Sequence, residues 1–224
     1  MALRDRSQSF SLKSLFWLSL FAIAMAYLEA AVVVYLRALY YPDGFAFPLK
    51  MIPFQILAVE IGREAATIVM LVTMGVIAGR NFGQRFSCFI FSFGVWDIFY
   101  YIWLKVLCNW PDSLLEWDIL FLIPVTWTGP VLAPVIISLS MIVAAILILH
   151  LAARGVEFKL NLLEWGLEFL AAAGIFVSFV LDCKNIMNGG LPNPFRWEIF
   201  LGGELLGIIV FVQRYVKILR TMKK

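Results

Sequence analysis

The chain has 224 residues, of which 62% are hydrophobic and only 15% charged, with a mean hydropathy of +0.91. Soluble domains are nearer half apolar and a quarter charged, so this composition argues against a soluble protein and for membrane spans. The net charge of +3 is small enough to be topological and gives no reason to expect nucleic acid as a partner.

The N-terminal stretch carries Arg4, Arg6 and Lys13 ahead of an apolar run that continues to Tyr35. A signal peptide has a much shorter core and a small-residue cleavage site, so the run is expected to be a retained first span. A helix needs about 20 apolar residues to cross the hydrocarbon core. Six stretches meet that length, at 14–36, 51–78, 86–107, 131–153, 160–181 and 198–216. They predict an all-α integral membrane protein, a six-transmembrane-helix bundle forming a single polytopic domain over 1–224.

The first span carries Glu29 in its second half, too deep for a short carboxylate to reach water, and Arg37 one to two turns beyond it. Arg37 is long enough to snorkel to the interface, which is its simplest reading. The loop 39–50, with Pro42, Gly44 and Pro48, reads as an irregular turn.

The second span holds Glu60, Arg63 and Glu64. An ionisable group at mid-membrane costs on the order of 3 kcal/mol or more, so such groups face a bundle interior, pair, and mark a site. Glu60 and Glu64 are four apart on one face, and Arg63 is placed to pair with Glu60. A saturated salt bridge with a purely structural role is the competing reading. Gly62 predicts close approach of a neighbouring helix or ligand.

In the third span Asp97, Tyr101 and Lys105 recur every fourth residue as a polar stripe. Between the third and fourth spans, Ser113-Leu114-Leu115-Glu116 matches a capping box. A short interfacial or re-entrant helix is therefore expected within 109–130, ending at Pro124 and anchored by Trp110, Trp117 and Trp127. Trp117-Asp118-Ile119 repeats Trp96-Asp97-Ile98.

The fourth span is almost wholly apolar, with His150 at its end. The fifth begins Glu164-Trp165-Gly166-Leu167-Glu168, matching the Glu-x-Gly-x-Glu of Glu60 to Glu64. An inverted repeat of three plus three helices would produce that match. The last span carries Glu204 between Gly203 and Gly207, a small-xxx-small surface for close packing. One histidine, and cysteines as scattered as Cys88, Cys108 and Cys183, leave no metal site or cofactor to expect. Cys108 and Cys183 both fall at outer helix ends, where a disulfide would be chemically permitted.

Lys and Arg concentrate in alternate connecting segments and at both ends of the chain. By the positive-inside rule both termini are cytoplasmic, in an inner (plasma) membrane of bacterial type. The partners expected are membrane lipids and a second copy of the chain or a larger membrane complex.

Glu29, Glu60, Arg63, Glu64, Asp97, Tyr101 and Glu204 are the candidate ion- or substrate-binding residues. With acids in excess, the first expectation is a small proton- or cation-coupled transporter or channel. Two alternatives stand beside it. One is an intramembrane enzyme using carboxylates as acid and base on a lipid or isoprenoid, and the other is an accessory subunit docking through its glycine face. Arg63 would also suit an anionic group on a ligand.

Overall fold

The computed structural model describes residues 11 and 13–222. Arg4, Arg6, Lys223 and Lys224, which contribute to the charge asymmetry above, lie outside the described residues. Within them, six helices are long and apolar enough to cross a membrane, and the protein is an integral membrane protein built on an all-α bundle. The membrane helices are α1 (Lys13–Tyr40), α2 (Phe54–Ala78), α3 (Phe82–Cys108), and, after two strands, α4 (Leu132–Ala153) and α5 (Leu162–Val180). A short helix, α6 (Cys183–Met187), precedes the last span, α7 (Trp197–Met222).

Local chemistry sets the helix ends. Pro53 precedes the first turn of α2, where its fixed φ suits helix entry. The Asn81 side chain accepts a hydrogen bond from the Gln84 N–H at the start of α3. At its other end Asn109 takes the left-handed conformation, with φ 55°, that closes many helices. A reciprocal capping box joins Asn161 and Glu164 at the start of α5.

The 109–130 segment is not a helix. After one turn it forms an antiparallel hairpin of β1 (Trp117–Phe121) and β2 (Trp127–Pro130). Glu116 does reach back, accepting from the Asp112 and Ser113 N–H groups, but the Ser113 hydroxyl accepts from Leu115, two residues on. The Leu114 and Glu116 carbonyls then accept from Leu132 and Val131 rather than from a following helical turn. Aromatic and β-branched residues at Trp117, Ile119, Phe121, Trp127 and Thr128 favour a pleated surface. An isolated hairpin is marginal, and this one is held by packing. A Cβ on Gly129 would meet the rings of Phe179 and Phe195 at 3.1 Å, so β2 lies directly on the end of α5.

The bundle is built around α3, which packs along α1, α4 and α2. The core between them includes Leu18, Ala22, Leu71, Cys88, Phe91, Val95 and Leu149. Helices α5 and α7 form a second tight pair that joins the rest through α4 and β2. Gly203 is pressed so close to α5 that a Cβ would lie 2.7 Å from the Ala171 carbonyl oxygen, as small-xxx-small packing requires. An inverted repeat would pair α4 with α7 as α1 pairs with α3. Instead α4 touches α7 only lightly, whereas α5 packs closely on α7 as α2 does on α3, so the packing matches such a repeat only in part. Cys108 and Cys183 are free thiols, and Cys108 donates to the Leu104 carbonyl.

Gly94 carries the α3–α4 contact: a Cβ there would fall 2.7 Å from the Ser138 carbonyl oxygen and 2.9 Å from Ile142 Cγ1. Backbone cannot yield as a side-chain tip can, so Gly94→Val should destabilise the protein by about 1–3 kcal/mol. The measurement is thermal unfolding in detergent, where an unchanged midpoint would refute the close approach.

Candidate functional site

A cavity of about 550 Å³ opens at the end of the bundle that carries the hairpin and the α1–α2 loop. Its wall brings together six of the seven residues singled out from the sequence: Glu29, Glu60, Arg63, Glu64, Asp97 and Tyr101. Three of these acids share a level. Glu64 is ten residues from the start of α2, and Asp97 and Glu29 are each eleven from the ends of α3 and α1. At 1.5 Å per residue that places all three ~15–17 Å from those helix ends.

Arg63 is the hub of the site. Its guanidinium forms ion pairs with Glu29 of α1 and with Glu60 one turn earlier on α2. Its Nε also donates to Glu60 Oε2 at 2.9 Å. Glu29 takes a further hydrogen bond from the Thr67 hydroxyl at 3.0 Å. Direct helix contact between α1 and α2 is sparse, so this charged cluster is their principal link. With two carboxylates already on Arg63, an anionic ligand there would have to compete with Glu29 and Glu60.

Glu64 faces a different group. Its Oε2 accepts from the Leu122 N–H at 2.8 Å, which ties the turn of the hairpin to α2. Asp97 accepts from the Ser138 hydroxyl of α4 at 2.8 Å. Neither makes an ion pair with a described cation inside 4 Å. Lys105, the outermost member of the α3 stripe, is exposed and pairs with Asp112 at 3.3 Å, so the stripe divides into two cavity residues and one surface residue.

A second charged group was missed at the sequence level. Arg37 does not snorkel: it is half-buried, pairs with Asp118 of β1 at 3.0 Å, and lies over the rings of Trp110 and Phe45, 3.8 and 4.5 Å from their centroids. Burial pushes the Asp118 carboxyl above its ordinary range, and the Arg37 guanidinium pulls it partly back. The repeated Trp-Asp-Ile tripeptide was the available signal, since Asp97 and Asp118 both line the cavity. The helical reading of 109–130 concealed it.

Gly62 and Glu204 stand apart from this arrangement. A Cβ on Gly62 would meet nothing within 4 Å, so neither a helix nor a cavity wall approaches it. Glu204 is buried but lies away from the cavity, on the α7 face packed against α5. Its neighbour there is Glu168, whose Oε2 would stand 3.3 Å from a Cβ on Gly207. That arrangement also turns the glycine face inward onto α5, so it is not a free docking surface.

The remaining wall is largely aromatic and aliphatic, including Tyr40, Tyr41, Phe45, Trp96, Tyr100, Leu120, Phe121 and Leu122. Among the described residues no group of three or more His, Cys, Asp or Glu has an arrangement that could hold a metal ion. Comparison of the chain with protein-family models, with curated proteins and with solved structures finds no match.

Removing Arg63 would leave the buried Glu29 and the half-buried Glu60 without their cation. Arg63→Ala should therefore cost about 3–5 kcal/mol of stability. Adding Glu29→Gln should recover part of that loss, because the uncompensated charge is what destabilises. Thermal unfolding of both variants in detergent checks this, and an unchanged midpoint in Arg63→Ala would show that the pairing contributes nothing.

Proposed function

We propose that the protein is a small proton- or cation-coupled membrane transporter whose coupling acids are Glu64 and Asp97. One observation carries the reading: a cavity entered from one end of the bundle reaches two carboxylates deep within their helices that form no ion pair with a described cation inside 4 Å. Intramembrane acids in this position are the usual elements of proton and cation pathways. Arg63, Glu29 and Glu60 hold α1 and α2 in register and stay paired through the cycle.

The cavity is one-sided. Beyond it the bundle is filled by the apolar core around Leu18, Ala22, Leu71, Cys88 and Leu149. A closed far side favours alternating access over an open channel. The hairpin supplies a gate, since its turn is hydrogen-bonded to Glu64 through Leu122. A charged acceptor binds that N–H about twice as strongly as a neutral one, so neutralising Glu64 by a proton or a bound cation loosens the turn. With the basic connecting segments on the cytoplasmic side, the cavity opens to the outside of a plasma membrane.

The aromatic and aliphatic wall gives some support to the second reading, an intramembrane enzyme acting on a lipid or isoprenoid. Among the described residues the cavity is lined by no His, Cys or Ser, so that reading would rest on the carboxylates as general acid and base.

The test is proton flux into liposomes reconstituted with purified protein, read by an internal pH dye under an imposed potential. Glu64→Gln keeps an acceptor oxygen for Leu122 and should fold normally, yet lose at least 90% of the flux. Flux equal in wild type and variant would remove Glu64 from the pathway. No flux in the wild type under any gradient would favour the enzyme or a subunit role, pursued through lipids and chains that co-purify.

A further inference from the structure

We infer that the cavity takes an amphiphilic organic cation, with an ammonium-like head directed at Glu64, Asp97 and Asp118 and an apolar body against the aromatic wall. This rests on the transport reading and names its substrate class. Volume is the first ground. A water molecule occupies about 30 Å³ of liquid, so a proton or a bare metal ion would leave most of a 550 Å³ cavity unused. The size is that of sites for drug-sized organic molecules, about 300–1,000 Å³.

Charge is the second ground. Both guanidiniums in the wall are half-buried and already on carboxylates, Arg63 on Glu29 and Glu60, and Arg37 on Asp118. Lys50, the third cation of the wall, is exposed. An anion entering the cavity would meet carboxylates in excess, whereas a cation would be drawn to them.

Groups of both signs line the wall without a hydrogen bond of normal geometry: Oδ2 of Asp118, which is 2% exposed with the Tyr101 hydroxyl beside its carboxylate, and Nη1 of Arg37 and of Arg63. They favour neither sign of ligand, so the preference for a cation rests on the excess of carboxylates. The walls suit the same ligand, because aromatic faces attract cations and Arg37 already lies over Trp110 in that way.

Tetraphenylphosphonium and tetraphenylborate have the same shape and opposite charge, which makes them suitable probes. Titration calorimetry on the purified protein in detergent should show saturable tetraphenylphosphonium binding at one site per chain. Tetraphenylborate should bind at least tenfold more weakly. Glu64→Gln and Asp97→Asn should each weaken the phosphonium at least tenfold. Equal binding of the two probes, absence of phosphonium binding, or phosphonium binding untouched by both variants would each overturn the proposal, and the first two need no variant. Proton flux separates this from the reading beneath it. Glu64-dependent flux without phosphonium binding retains transport and sinks the ligand class. Charge-selective binding without flux retains the ligand class and sinks transport.

Discussion

One guanidinium in hydrocarbon sets the terms for half of this bundle. Arg63 sits on a helix whose outward face is lipid-exposed apolar surface, and its charge is tolerable there only if partners come to it. Glu60 on its own helix is one turn away, but Glu29 has to be delivered by α1. The two helices touch little otherwise. They are kept apart by α3, which packs against both, and the charged cluster joins them across the space that remains. The cavity is that space: two helices splayed around a third, linked by a polar bridge in place of a packed seam.

The hairpin follows from the same constraint. A splayed pair of helices leaves an opening at one end, and irregular backbone at membrane depth is tolerated only where protein or a cavity satisfies it. The turn of the hairpin satisfies its Leu122 N–H on Glu64, and β1 brings Asp118 to the otherwise unpaired Arg37. Each contact thus settles one polar group of the hairpin and one charge of the helices. Rings of Trp110 and Phe45 then cover Arg37, so the covering segment is bound by charge below and by aromatic faces above.

The helices were legible in the sequence because a bilayer imposes a length and a composition on every span, and both can be read locally. The acids were legible for a related reason: a carboxylate in the middle of an apolar run has to find a polar interior, whatever the fold. Four of the five acids chosen on that ground, Glu29, Glu60, Glu64 and Asp97, do meet at one cavity. Glu204 does not, because depth along a helix says nothing about which side of the bundle the helix faces. Arg37 and Asp118 were missed for a complementary reason. Near a helix end an arginine can reach water, so only the tertiary pairing reveals that it turns inward. The Ser113–Glu116 pattern misled because a capping box specifies the first turn and nothing after it. The strand propensity of the residues that follow, and their partners across the hairpin, decided the rest.

The two kinds of acid in the cavity differ in what they can still do. Glu29 and Glu60 share one cation and are fixed by it; changing their charge would free Arg63 and separate α1 from α2. Glu64 and Asp97 each hold only a neutral donor, a backbone amide and a hydroxyl. A neutral donor stabilises a carboxylate less than a cation does, and it can be exchanged for a proton or a ligand without leaving a buried charge unpaired. The site therefore combines a fixed pair that maintains the opening with two exchangeable acids at its floor. Of the two, Glu64 is the one hydrogen-bonded to the hairpin, through the Leu122 N–H.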